Sequence, residues 1–359
     1  MGTTTDSMLA PADEALRQTV QFNCDVADAR GGADFTLCIY LLKMREFYRW
    51  EQGEPVSARL PRESVGNWLS ERESYLESLE DRDFAPITLD GRPFDVFDTD
   101  AINEHLVPRG LVYSGGMGRG GKPHFFLGEL ERREHHGEFT LLISARELAR
   151  DLTSPPAMAQ RDTIFVRRES LRRMLWEKVD GWNWSKPRNA MSRALAQYDL
   201  ETDLEGSLDR MTEQQLEAMV LHEIGEVRAG ERLGPGWGEM MLDLHHSRAE
   251  QVSRAVRDNL ADCISTLPAI LDAADPAGIH FFMAHLTPMR TTLFPALEGA
   301  YETWMVSGDD AALRRCADEG AQHWLTLARA FMAQHHEHGA EARTAIADMA
   351  DVADNLVLR

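Results

Sequence analysis

The chain of 359 residues has only four cysteines, at positions 24, 38, 263 and 316. None stands in a CxxC spacing, which excludes a zinc knuckle and a disulfide framework and fits a reducing compartment. Long apolar runs are also missing: a stretch such as residues 37–42 is about a third of the ~20 residues that a membrane helix needs. The first thirteen residues lack a basic segment followed by an apolar one, so no secretory signal is read there. Basic residues are scarce, with 38 Lys and Arg against 59 Asp and Glu and a net charge of -21. A surface of that sign repels nucleic-acid phosphate and anionic lipid, so neither nucleic acid nor a membrane is expected as a partner. No serine sits in a nucleophile elbow and no cysteine has an adjacent histidine, which removes the local signals of covalent catalysis. What is present, 43% hydrophobic and 27% charged residues, is ordinary for a globular protein, and the cytoplasm is its expected location.

Two helices are expected between Asp13 and Gly53, broken at Gly31 and Gly32; in the second, Leu37, Leu41, Met44 and Tyr48 recur at the spacing of a buried face. Pro61 suits the first turn of a third helix, which ends before the acidic residues 80–83. Residues 111–114, 124–127, 139–144 and 163–166 are short aromatic and β-branched runs bounded by glycine or charge. They predict a small, largely antiparallel sheet with Gly137 at a hairpin turn. Residues from Thr140 to Leu152 are similar to those from Thr163 to Leu175 at an offset of 23, each copy passing from strand to short helix. Residues 181–188 read as a break. From Ala190 onward, Ala, Leu, Glu and Arg at helical spacing predict a bundle without strands. Its helix starts are marked by Thr212 with Gln215, Ser247 with Glu250, Asp275 before Pro276, Thr287 before Pro288, and Asp309 or Asp310, and Pro295 kinks or restarts the fourth helix. The fold class is therefore α+β and mainly helical: an α+β domain over 1–185, an all-α bundle over 190–336, and a peripheral helix or tail over 337–359.

One helix pair carries chemistry. In the helix from Glu213, the residues Leu216, Val220, Ile224 and Val227 form an apolar stripe; Glu223 falls inside it, Glu226 at its edge and His222 just beyond. A buried, unpaired carboxylate either shifts its pKa or costs several kcal/mol, so Glu223 requires a partner. The next helix offers Asn259 inside its own stripe of Val252, Val256, Leu260 and Cys263, Asp262 at the edge and Asp258 further round. Successive helices joined by a short connection pack antiparallel, which turns these polar groups toward one another. Carboxylates and an imidazole on facing helices suit divalent iron, manganese or zinc. The spacing departs from the Glu-x-x-His pairs of di-iron bundles, and Glu226 replaces the second histidine of a zincin, so neither ligand set transfers. The competing reading is a buried hydrogen-bonded network in which Glu223, Asn259 and Arg228, Arg254 or Arg257 satisfy one another. His280, His285 and His323 are further ligand candidates or, singly, satisfied core histidines.

Residues 116–122 match the first part of a phosphate-binding loop, with Gly116, Gly121 and Lys122 in place. The match ends at Pro123, which replaces the required Ser or Thr. What remains is either a cofactor- or anion-binding loop contacting its ligand through Gly116, Gly118, Arg119 and Lys122, or a plain hairpin loop. Arg167, Arg168, Arg172 and Arg173 form the dense basic run, expected as a solvated face or docked on acidic helices.

The segments 111–122 (LVYSGGMGRGGK), 147–151 (ELARD), 165–176 (FVRRESLRRMLW) and 221–233 (LHEIGEVRAGERL) together resemble a family of bacterial cytoplasmic proteins of unknown function, through most of the chain. That resemblance implies a bacterial cytoplasmic protein and assigns no catalytic residue. The leading expectation is a metal-dependent enzyme that oxidises or hydrolyses a small molecule. Its metal ligands are His222, Glu226, Asp262 and His285, with Glu223 and Asp258 as catalytic base or further ligand and the glycine loop as substrate lid. The alternatives are a non-enzymatic interaction or scaffold protein and an anion or nucleotide sensor. A homo-oligomer is left open.

Overall fold

In the computed structural model, which describes residues 11–31, 35–118, 121–137 and 139–351, the chain opens with the helices Pro11–Gly31, Leu37–Glu51 and Arg62–Glu77. These breaks follow the glycine and proline punctuation. The second helix buries a different face from the one expected, because Leu37 and Leu41 are 71% and 41% exposed. Its buried residues lie further on: Met44 and Phe47 pack with Leu76 and Leu152, while Arg49 pairs with Glu46 and donates to the carbonyl of Ala58.

The chain divides into two units, one of Met1–Lys178 with Asp203–Thr212, the other of Val179–Thr202 with Glu213–Arg359. In the first, β1 (Ile87–Leu89) and β2 (Arg92–Phe94) form a hairpin around Asp90 and Gly91, both at positive φ, the geometry that an Asp-Gly pair favours. A five-stranded sheet follows, made of β3 (Leu111–Met117), β4 (Pro123–His136), β5 (Phe139–Arg150), β6 (Ala157–Gln160) and β7 (Thr163–Arg167), in the order β3-β4-β5-β7-β6. Every pairing is antiparallel except β5 with β7. Gly137 turns between β4 and β5 at φ 64°.

The 23-residue similarity has a structural counterpart, since Thr140 lies opposite Thr163 and Ile143 opposite Val166 in the parallel pair. Beyond that point the copies diverge. The first stays strand to Arg150 because β4 supplies backbone partners as far as Phe126, and the second turns into the helix Arg168–Ser185. That helix runs straight through Gly181, so the expected break shrinks to the residues before the helix Ala190–Leu195. Alternation along β3 places Leu111 and Tyr113 in a core with Val20, Cys24 and Ile102, and Val112 in another with Phe126 and Phe165.

The described residues of the second unit form helices and no strand. The helix Leu204–Leu233 enters it from Glu213 and is followed by Gly236–Asp243, Arg248–Ala261, Leu267–Ala273, Pro276–His285, Pro288–Leu293, Pro295–Ser307, Ala311–His338 and Ala342–Asp351. Ser247, Asp275 and Thr287 cap their helices through the side chain as expected, and Pro295 restarts one. Thr212 does not cap. Leu208 and Met211 extend the buried face upstream, the Asp203 carboxylate accepts from Gly206 N–H at the true start, and the Thr212 hydroxyl bonds back to the Leu208 carbonyl. Ala311–His338 runs through the core, with Trp324 fully buried against Phe294. No helix among the described residues is long and apolar enough to cross a membrane.

Candidate functional site

The helices Leu204–Leu233 and Arg248–Ala261 meet antiparallel in the second unit, so His222 faces Asp262, and Glu226 and Asp258 face the same guanidinium, that of Arg257. Gly225 makes this crossing close: a Cβ there would fall 2.5 Å from the Ala261 carbonyl oxygen, and next to it Ser265 donates to the Leu221 carbonyl. Proline sets the local shape on the other helix. Pro268 has no N–H to return to the turn before it, and the chain widens into a single π turn, Asp262–Thr266, in which Leu267 N–H reaches the Asp262 carbonyl.

His222 Nδ1 lies 2.7 Å from Asp262 Oδ1, and its Nε2 points at Glu226 Oε1, 3.4 Å away. The second Asp262 oxygen accepts from Arg290, a buried arginine whose Nε donates to Asn259 Oδ1 at 2.9 Å. Arg257 lies 2.7 Å from Glu226 Oε2 and 3.3 Å from Asp258 Oδ1. Among the described residues, His222, Glu226 and Asp258 form a group whose ligand atoms all lie within 4.8 Å of one another. Their side chains keep 27%, 21% and 25% exposure, so the cluster is half-buried. Asp262 stands behind it and orients the imidazole.

The charges reinforce that division. Burial alone would lower the His222 imidazole, but the Asp262 and Glu226 carboxylates raise it well above its ordinary value. Burial likewise works against ionised Asp262 and Glu226. Arg290 and His222 nevertheless hold Asp262 far below the carboxylate range, and His222 with Arg257 brings Glu226 down to about 2. Glu223, one turn earlier, is pushed up to about 7 by burial and then by Glu226, and burial and Glu226 also raise Asp258. A protonated imidazole between two carboxylates is a balanced charge arrangement, and a divalent ion would have to displace its proton before binding there.

The other candidates fall elsewhere. His285 stacks on Phe281, His280 bonds Tyr301 Oη at 2.7 Å, and His323 packs edge-on against Trp324, none of them in the three-residue group. The glycines of the loop have packing reasons. Gly115 is clasped by the Thr99 hydroxyl, a Cβ on Gly116 would strike the Gln160 amide, and one on Gly118 the His124 ring. Lys122 sits 5.9 Å over the Phe35 ring, and Arg119 lies outside the described residues. Each arginine of the basic run has an acidic partner: Arg167 with Glu147, Arg168 with Glu131, Arg172 with Glu205 and Asp209, Arg173 with Glu177. Sequence reasoning missed Arg290. Its signal was weak but present, for Arg290 stands three residues before Leu293 and four before Phe294, on a face that is otherwise buried.

No curated protein and no solved structure matches the chain. Two family models do, the N-terminal domain over residues 15–167 and the C-terminal domain over residues 172–353, and both describe one family of unknown function. The chain belongs to that family, DUF6866.

Proposed function

We propose that His222, Glu226 and Asp258 hold a divalent iron, manganese or zinc ion, and that the protein is a metal-dependent enzyme acting on a small molecule in the bacterial cytoplasm. One observation carries this reading: one imidazole and two carboxylates converge within 4.8 Å while the second imidazole nitrogen is held by Asp262, itself held by Arg290. Such a carboxylate behind a ligating histidine fixes the tautomer and direction of the ring. Three protein donors would leave coordination positions for water and substrate, and the three side chains keep partial exposure. A metal ion would supply a bound water of lowered pKa or a grip on a substrate oxygen, and Glu223, pushed up to about 7, is our candidate for the base that exchanges the proton. Redox-active iron would favour oxidation and zinc hydrolysis.

The test is metal content by mass spectrometry on tag-free protein purified without chelating resin. The reading expects near-stoichiometric metal, lost in Glu226→Ala, weakened about 10–100-fold in Asp262→Asn and retained in a triple variant of His335, His336 and His338, the histidines in the last turn of Ala311–His338 that control for adventitious binding. No metal after reconstitution would sink it.

A second reading, a non-enzymatic scaffold whose polar groups specify helix packing, is favoured by Arg257, which already bridges Glu226 and Asp258. In that case Glu226→Ala lowers stability and no ion is lost.

A further inference from the structure

In the second unit, residues before and within the helix Ala190–Leu195 meet the helices Pro276–His285 and Pro295–Ser307 around a cavity of about 310 Å³. Its apolar lining includes Phe294 and Leu297, which are buried in the core, and Leu286 and Met305, which are partly buried against it. Tyr301 also lines the cavity, and its ring is fixed in place. The Tyr301 Oη lies 2.7 Å from His280 Nδ1, and Trp304 stacks on the ring at 5.9 Å between centroids.

Charged side chains of both signs line the same cavity, Arg188 and Arg193 on one segment and Glu298 and Glu302 on the helix Pro295–Ser307. Among the described residues none of them forms an ion pair. Other arginines of this unit do pair, Arg254 with Glu250 and Arg314 with Asp272 and Asp310. Arg193 is nevertheless positioned, because its guanidinium lies 5.9 Å over the Tyr301 ring that His280 holds. Glu298 and Glu302 stand one helical turn apart, a spacing at which like charges repel. Cations and anions therefore share one cavity without neutralising each other directly.

We infer that this cavity binds a small zwitterion, a free apolar α-amino acid, with its carboxylate on Arg193 and Arg188, its ammonium at Glu298 and Glu302, and its side chain against Leu286, Leu297 and Met305. A guanidinium takes a carboxylate through two parallel hydrogen bonds, and an ammonium beside both glutamates removes their repulsion. A ligand of one sign would leave the other pair of charges uncompensated next to an apolar wall. The volume is at the lower end of the roughly 300–1,000 Å³ of small-molecule clefts, which suits one amino acid better than a nucleotide. His222, Glu226 and Asp258 do not line this cavity, so the inference stands apart from the metal reading.

Calorimetric titration of the full chain with L-leucine, L-methionine and L-phenylalanine, and with the deaminated acid and the decarboxylated amine of each, tests this. Wild type should bind at least one of the amino acids saturably at millimolar concentration or below, and its two one-charge analogues at least tenfold more weakly. Arg193→Met, and Glu298→Gln combined with Glu302→Gln, should each weaken that binding at least tenfold. Glu239→Gln, which removes an exposed charge elsewhere in the unit, should leave it unchanged. All of these positions are exposed, so circular dichroism and the unfolding midpoint of each variant should match wild type and keep the test decisive. Absence of saturable binding for all three amino acids, a one-charge analogue that binds as tightly as its parent, binding that survives both sets of substitutions, or an equal loss in Glu239→Gln overturns the inference.

Discussion

The two units each hold a histidine by its Nδ1 against a buried aspartate, His222 on Asp262 and His124 on Asp151, and they differ in what lies beyond Nε2. In the second unit it is the carboxylates of Glu226 and Asp258; in the first it is Gly118, where a Cβ would lie 2.5 Å from the nitrogen. The aspartates are anchored differently as well, Asp262 by the guanidinium of Arg290 and Asp151 by backbone N–H groups. The shared pair only aims an imidazole. Its surroundings decide what the aimed nitrogen meets.

The comparison breaks most severely at Arg290. Arg290→Met leaves Asp262 charged and Asn259 unpartnered in the core, and should cost about 3–5 kcal/mol, read as a lower midpoint in chemical denaturation. Asp151 depends less on one side chain, because the backbone N–H groups of Phe125 and Ser154 also hold it. Gly225→Ala comes next. Its Cβ must push the helices apart at the Ala261 carbonyl, at a cost of about 1–3 kcal/mol, and metal binding should fall with the His222–Asp262 contact; an unchanged midpoint would mean that the crossing is looser than it appears in the fold.

The smallest effect is a pH response in the first unit. There Glu169 accepts from Glu147 N–H, and burial followed by the Glu147 carboxylate pushes it up to about 7. A folded-state value above the unfolded one of about 4.5 means that its stabilisation is complete below pH 4.5 and is lost as pH rises through 7. Glu169→Gln should flatten the unfolding midpoint over that window. Glu226, lowered to about 2, has the opposite sign: its stabilisation is present above the ordinary carboxylate range and is lost on acidification towards pH 2. A wild-type midpoint that rises between pH 5 and 7, and does so through Glu169, would contradict this assignment.

Much of the architecture was legible because punctuation is local. Gly31, Pro61, Gly137, Asp275, Thr287 and Pro295 mark ends and starts through φ preferences and missing or offered hydrogen bonds, whatever the rest of the chain does. The Asp90-Gly91 hairpin was equally legible and was overlooked. Thr212 misled because a capping signature also occurs within helices, where the hydroxyl simply bonds back one turn. At the site, helical periodicity placed His222, Glu223, Glu226, Asn259, Asp258 and Asp262 on facing stripes, since a wheel needs only the sequence of one helix at a time.

Periodicity could not rank those residues. That Asp262 sits behind His222 while Asp258 lies beside Glu226 depends on the axial register of two helices, set by Gly225 against Ala261 and by the π turn that Pro268 imposes. The partner of Asp262 comes from a third helix, 28 residues away in the chain. Likewise the approach of His124 to Asp151 depends on where two strands end in the sheet. The sequence by itself determined which segments are helix or strand and which faces carry charge, because those follow from neighbours a few residues apart. Only the tertiary structure decided which charge meets which, because a buried ion finds its counterion through packing between elements that no local pattern records.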